Sequence, residues 1–327
     1  MKLIIQIPAL NEQETIAEVI EALPRKVPGF TSIEVLVIDD GSTDDTVDIA
    51  RRAGADHILR MGCNMGLARA FSAGMEEALA LGADVIVNTD ADHQYCADDI
   101  PALVRPIRDG EAKIVVGARP IRDNESFSPT KKLLQRFGSW VVRKCSGTDI
   151  PDAPSGFRAY SRDAAARMCV VNTYTYTIET LIQAGRKRIP MTWVPVRVNR
   201  VERPSRLFRG MGEYIRRSVA TILRVFVMYA PLRFFASLAA LCALPGIVGI
   251  VRFLGFYLSG DGSGHIQSLV LSSGLMAMAM VLMAVGILGD MIAANRSLLE
   301  DIRARDLLGA TTRRRHDATI LKLADAS

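Results

Sequence analysis

Residues 35–46 read VLVIDDGSTDDT. Four apolar residues, three of them β-branched, run into two aspartates, a glycine and a cluster of Ser, Thr and Asp. A continuous apolar run closed by a Gly turn and followed by capping residues predicts a strand buried on both faces that turns at once into a helix. Ser42, Thr43 or Asp44 can supply the cap, and Asp44 and Asp45 are assigned to capping. Asp39 and Asp40 precede it, and one of them facing a cleft would accept hydrogen bonds from a ribose or a base.

The same unit recurs on either side. Apolar runs at 3–7, 84–88 and 113–116 read as strands, and helical spacing covers 11–23, 44–53, 67–81 and 97–108. Strands alternating with helices predict an α/β domain with a mostly parallel sheet covered on both faces. Such sheets bind ligands beyond the carboxyl ends of their strands. That rule directs attention to residues 8–12, 39–42, 90–94 and Arg119. Asn11 and Glu12 are open between a helix cap and a ligand contact. In NTDADHQ (88–94), an extended chain would aim Asp90, Asp92 and Gln94 to one face as oxygen donors. Hard divalent cations such as Mg²⁺ or Mn²⁺ take oxygen ligands, with one or two carboxylates leaving room for a diphosphate. The alternative is a capping Asp pair in a loop. His93 and Tyr95 interleave and are expected to point into the fold or the loop.

The chain has 327 residues, 49% of them hydrophobic and 23% charged, which excludes a disordered, fibrous or disulfide-stapled protein. Its net charge of +5 is unevenly spread: residues 1–130 carry −10, residues 131–233 carry +14 and residues 234–327 carry +1. The basic segment is expected to face something anionic. Of its cations, Arg200, Arg203 and Arg206 form one group and Lys131, Lys132 and Arg136 a second, and 32 Arg against 8 Lys in the whole chain favours bidentate pairing with phosphate.

Residues 234–258 run apolar but for Arg252, and 266–288 hold no charge at all, with only SGDGSGH between them. Twenty-five helical residues reach roughly 37 Å, more than a hydrocarbon core of about 30 Å requires. The two runs predict a transmembrane hairpin, the alternative being a buried helical hairpin of a soluble protein. Arginines 224, 233, 296, 303 and 305 flank the pair while the connecting loop has none, so the sheet domain and both termini are placed in the cytoplasm. Arg252 is expected to snorkel to the far interface. Between 205 and 230, apolar residues such as Leu207, Met211, Ile215, Val219, Ile222 and Phe226 recur at helical steps opposite Arg209, Arg216, Arg217 and Arg224. This pattern suits a helix in the membrane interface, the alternative being a helix packed on the sheet. The N-terminus does not read as a secretory signal, and cysteines 63, 96, 145, 169 and 242 show no metal or redox spacing, as expected of reduced thiols. The expected organisation is 1–200, sheet domain; 201–231, basic amphipathic segment; 232–292, two membrane helices; 293–327, cytoplasmic tail.

PALNE, VIDDGSTDDT, NTDADHQ, GAR and SGFRAYSRD, in this order, resemble the GT-A inverting glycosyltransferases of the dolichol-phosphate mannosyltransferase and bacterial polyprenyl-phosphate glycosyltransferase group. The resemblance spans nearly the whole chain and implies transfer of one sugar from a UDP- or GDP-sugar to polyprenyl phosphate at the cytoplasmic face of the membrane. It implies that Pro8, Leu10, Glu12, Ile38, Asp40 and Ala91 lie at the nucleotide, that Asp90, Asp92 and Gln94 bind Mg²⁺ or Mn²⁺, and that Arg119 lines the donor pocket. Arg200 and Arg206 match an Arg and a Lys six positions apart in the family; the Lys has become Arg here. Leu10 stands where the family has Tyr, so that position offers no aromatic ring to the base. Asp149 or Asp152 would orient Arg158 or sugar hydroxyls. The implied partners are the nucleotide-sugar, the lipid phosphate and the membrane, not nucleic acid, with a homo-oligomer left open. The alternatives are a hydroxyl acceptor, as in glycolipid or polysaccharide synthesis, and a non-catalytic nucleotide-sugar-binding protein.

Overall fold

The computed structural model describes residues 1–120, 147–170, 176–199, 227–260 and 266–324, with a few isolated positions besides, and side chains as far as Gly309. The chain divides into two compact units, Met1–Ser218 with Glu300–Ser327, and Val219–Leu299.

The first unit alternates β1 (Lys2–Ala9), α1 (Ile16–Ala22), β2 (Ser32–Asp39), α2 (Thr46–Arg52), β3 (His57–Arg60), α3 (Leu67–Ala80), β4 (Val85–Asn88), α4 (Ile100–Arg108) and β5 (Ile114–Ala118). It continues with β6 (Arg158–Ser161), α5 (Arg162–Arg167), α6 (Thr177–Arg186) and β7 (Met191–Pro195). The strands form one sheet in the order β3-β2-β1-β4-β6-β5-β7. All pairs are parallel except those of β6, which runs antiparallel to β4 and β5. Reversal of β6 has a consequence for the site: the loop leading into it, 152–157, arrives at the edge where β4 and β5 end.

Alternation along β1 builds both faces of the core. Leu3, Ile5, Ile7 and Ala9 pack with α1 and α4, while Ile4 joins Phe71 and Met75 of α3 and Ala164 to Ala166 of α5. Gln6 lies among the residues of the α3 face without exposed surface. A methyl group on Gly74 of α3 would sit 2.6 Å from Gln6 Oε1 and 2.7 Å from Ile38 Cδ1, so glycine is what lets α3 lie this close to the sheet. β3, unforeseen in the sequence reading, is a four-residue edge strand, HILR, too short for its alternation to stand out.

The second unit contains α7 (Pro231–Leu258) and the start of α8 (Ile266–Ala324). Their apolar stretches have mean hydropathies of 2.3 and 2.2, and only 11% of each is buried. A hairpin in a soluble core would be covered by protein; this one presents apolar surface outward and has the length and composition to cross a bilayer. Small residues bring the helices together. Added methyl groups would lie 2.0 Å from Ser272 Oγ at Gly249 and 2.7 Å from Pro231 Cβ at Gly289. α8 continues past the apolar stretch to Ala324, and from Glu300 onward it groups with the first unit.

Candidate active site

The register aligns Ala9 of β1 with Asp39 of β2 and Gln6 of β1 with Asn88 of β4, so the turns after these three strands meet at one edge. The first two turns are sewn together. Asn11, at φ +52°, accepts from the Thr43 N–H at 2.8 Å through Oδ1, and its own N–H donates to Ser42 Oγ at 3.0 Å. Thr46 Oγ1 accepts from the Glu12 N–H at 2.8 Å. Asp44 accepts from the Thr46 N–H at 3.1 Å and the Gln13 N–H at 3.3 Å, bracing the turn one residue before the N-cap position. Asp45, assigned like Asp44 to capping, stands at the N-cap of α2 without a side-chain cap bond.

Asp39 and Asp40 are both buried. Asp39 accepts from the Ser42 N–H at 2.9 Å. The two oxygens of Asp40 accept from the N–H groups of Met65 at 2.8 Å and Gly66 at 2.9 Å, at the start of α3. Gly41 makes this possible: it has φ +82°, and a methyl group there would lie 2.8 Å from the backbone of Cys63 and Asn64. Both oxygens of Asp40 and one of Asp39 are thus taken by the protein's own amides, and Asp39 Oδ2 lies 3.7 Å from Arg60 Nε. Ile38 is buried against Gly74, and Ala91 is buried with its carbonyl accepting from Thr15 Oγ1 at 2.7 Å. Pro8 is buried in β1, whereas Leu10 and Glu12 are half-exposed in the turn.

The segment carrying Asp90 and Asp92 differs from its expected conformation. β4 ends at Asn88, and residues 91–93 form a turn with His93 at φ +55°, so strand pleating does not align Asp90, Asp92 and Gln94. The charge of Asp92 nonetheless acts on Asp90. Burial and the charge of Asp92 push the Asp90 carboxyl up to about 7, against the opposing pull of Arg119 and Arg158. The backbone N–H of Gln94 donates to Asp92 at 3.1 Å, and its carbonyl accepts from the Asn199 N–H at 2.9 Å. Tyr95 points into the fold as expected, stacked on Phe157 at 5.0 Å.

Arg119 pairs with Asp152 through two charge-assisted bonds, Nε to Oδ2 at 2.7 Å and Nη2 to Oδ1 at 3.0 Å. Asp149 or Asp152 was expected to orient Arg158 or sugar hydroxyls; the partner that Asp152 fixes is Arg119. Arg158 is fully buried and donates instead to the carbonyls of Ser155, Thr177 and Ala153 and to Thr180 Oγ1, at 2.7 to 2.9 Å, tying loop 152–157 to the first turn of α6. Asp149 is exposed. The sequence reading did not single out Gln6, Asn88, Gly156 or Tyr176, which lie beneath Asp90. The signal available was a lone polar residue in each of two apolar strands, LIIQIPA and VIVN. The basic candidates Lys131, Lys132, Arg136, Arg200, Arg203 and Arg206, and nearly all of the amphipathic stretch, fall outside the described residues.

Residues 4–168, just over half of the chain, match the model of a known family, glycosyl transferase family 2. The chain belongs to glycosyl transferase family 2. Among curated proteins, it is 28% identical to the undecaprenyl-phosphate mannosyltransferase of Micrococcus luteus, over 68% of this chain and 93% of that one. It is 25% identical to an undecaprenyl-phosphate 4-deoxy-4-formamido-L-arabinose transferase of Pectobacterium carotovorum, over 91% and 89% of the two chains. A UDP-N-acetylglucosamine–dolichyl-phosphate N-acetylglucosaminyltransferase of Methanococcus voltae is 28% identical over 58% of this chain and 83% of its own. Among solved structures, glucosyl-3-phosphoglycerate synthase of Mycobacterium tuberculosis, crystallised with Mn²⁺ and UDP-glucose, superposes with a TM-score of 0.53 at 22% identity. That match covers 69% of this family 2 chain and 78% of the synthase, and establishes the GT-A fold.

Proposed function

We propose that this glycosyltransferase moves one sugar from a UDP- or GDP-sugar to a polyprenyl phosphate at the cytoplasmic face of the membrane, inverting the anomeric carbon. The observation that carries the reading is the Asp90–Asp92 pair at the sheet edge beside the Arg119–Asp152 clamp, in a chain whose relatives are named for undecaprenyl and dolichyl phosphates. The donor set suits a hard cation: the charge of Asp92 raises the affinity of Asp90 for positive charge, and both residues offer oxygen. Asp90 and Asp92, with Gln94 as a further oxygen donor, would hold Mg²⁺ or Mn²⁺, which when bound supplies charge neutralisation for the departing diphosphate.

The remaining work falls to the chain's own residues. A phosphate monoester has a second pKa of about 6, so the attacking oxygen of the lipid is already an anion and needs no general base. Asp152 accordingly serves as the counter-ion that fixes Arg119, and Arg119 keeps a guanidinium at the donor side. Leu10 and Glu12 face the nucleotide, while Pro8, Ile38, Asp40 and Ala91 shape its pocket from below. Arg200 and Arg206, helped by Arg203, Lys131, Lys132 and Arg136, receive the lipid phosphate. Arg224 and Arg233 before the hairpin and Arg296 after it keep the site on the cytoplasmic side.

Membranes containing the protein, incubated with Mg²⁺ or Mn²⁺, polyprenyl phosphate and labelled UDP- and GDP-sugars, are expected to move label into the lipid phase. Asp92→Asn should abolish that transfer in a chain that still folds, as read by its thermal transition. Full activity of Asp92→Asn sinks the metal assignment, and preferential labelling of a diacylglycerol or a glycan sinks the phosphate acceptor.

A further inference from the structure

Asp90 rests on backbone. A methyl group on Gly156 would sit 2.9 Å from Asp90 Oδ2 and 2.9 Å from the Tyr176 hydroxyl, so loop 152–157 supplies a wall that the carboxylate touches directly. That wall is held from beneath. The Gly156 carbonyl accepts from Asn88 Nδ2 at 2.9 Å and from the Tyr176 hydroxyl at 3.4 Å, while its N–H donates to the Tyr95 hydroxyl at 3.1 Å. Asn88 Nδ2 also donates to Tyr176 Oη at 2.8 Å, and Asn88 Oδ1 accepts from Gln6 Nε2 at 2.8 Å.

The polarity of this chain of bonds is fixed at one end. A carbonyl can only accept, so Asn88 must turn its nitrogen to Gly156 and its oxygen to Gln6, which must answer with a nitrogen. Gln6 and Asn88 have no exposed surface and Tyr176 has 1%, so none of the three meets a substrate. Asn88 and Tyr176 satisfy the buried Gly156 carbonyl, which apolar residues at their positions could not do. The Tyr176 ring is already fixed without its hydroxyl, stacked on Phe71 with centroids 3.9 Å apart and planes 4° from parallel. Two buried side chains, Asn88 of β4, itself held by Gln6 of β1, and Tyr176 at the start of α6, thus converge on the Gly156 carbonyl, and Gly156 bears on Asp90.

We propose that Asn88 and Tyr176 are positioning residues for the Asp90–Asp92 pair, holding Gly156 against Asp90 so that its carboxylate is set to receive a divalent cation. The inference deepens the metal reading given above and rests on it. Partners that orient metal ligands typically change affinity by about 10- to 100-fold when removed.

Tyr176→Phe removes one oxygen and leaves the stack on Phe71. In the full-length protein in detergent or nanodiscs, Mn²⁺ binding followed by electron paramagnetic resonance, alone and with UDP or GDP, is expected to weaken about 10-fold in this variant. The metal-free thermal transition should stay in place. Asn88→Asp, which sets an acceptor against the Gly156 carbonyl, should weaken Mn²⁺ binding at least as much. Wild-type affinity in both variants overturns the positioning role. So does a loss of affinity matched by an equal fall in metal-free stability, which marks the network as structural only. A wild-type chain that binds no Mn²⁺ under any of these conditions overturns the metal reading itself.

Discussion

Asp90 stands under opposed influences, and their balance makes a prediction about pH. Burial and Asp92 raise its carboxyl from 3.8 to about 7, with Arg119 and Arg158 pulling the other way. Between those two values the folded chain holds a proton that the unfolded chain has released, so this group's contribution to stability falls as pH rises from about 4 to about 7. A cation at the pair replaces the proton and the repulsion together. Mn²⁺ should therefore raise Tm more near pH 8 than near pH 5.5, where it must first displace the proton, and thermal scans of the solubilised protein at both pH values check this. In Asp90→Asn the difference should disappear. A metal-induced shift of equal size at both pH values would speak against this carboxylate as a ligand. Asp39, Asp40 and Asp44 differ in kind: their oxygens are taken up by backbone amides of neighbouring turns. These three carboxylates thus brace turns at the edge of the sheet, whereas Asp90 feels the charge of Asp92.

Among the elements, α3 depends on a turn that is not its own. Gly66 precedes it at φ +92° and offers no side-chain cap, and Asp40 from the end of β2 accepts the Met65 and Gly66 N–H groups in place of one. Asp40→Ala leaves those two amides without this acceptor and should cost about 1 to 2 kcal/mol, as the loss of a cap does. Hydrogen exchange followed by mass spectrometry should then show faster exchange at 63–70 with little change in β1 and β4. Exchange unchanged at 63–70 would mean that the loop is held by other contacts. The same comparison shows what the sequence could and could not disclose. The strands at 3–7, 84–88 and 113–116 and the helices around 67–81 and 97–108 were legible because their periodicity is set by burial on both faces of one sheet. The bond from Asp40 to Gly66 was not, since it joins residues that are neighbours only once β2 and α3 have packed. Nor was the antiparallel sense of β6, which depends on non-local pairing with β4 and β5. For Asp90 and Asp92 the local conformation was not legible either: they lie in a turn after β4, not on an extended strand.

At the scale of the whole molecule, α8 belongs to both units. It begins in the apolar hairpin, and from Glu300 its residues pack on the catalytic unit, where Ala304 joins the cluster of Phe71, Met75 and Leu79 on α3. Arg303 pairs with Glu76 of α3 and donates to the Met168 carbonyl at 3.1 Å. Glu300 is 2.8 Å from Lys187, just after α6, with side-chain exposures of 5% and 14%. A segment of this composition reads as a charged tail when each residue is taken singly, because its apolar positions are few and short. Docking makes it part of the core instead, and it reaches the two helices, α3 and α6, that carry Phe71 at one end and the first turn beside Tyr176 at the other. A buried pair of this kind costs more to break than to replace, since one charge left alone keeps its desolvation penalty. Glu300→Gln and Lys187→Met should each destabilise the catalytic unit by about 3 kcal/mol, and the double variant should recover a large part of the loss. Thermal scans of all four proteins measure the coupling. If the double variant shows only the sum of the single losses, the pair does not act as a unit, and the docking of α8 rests on Ala304 and Arg303 instead.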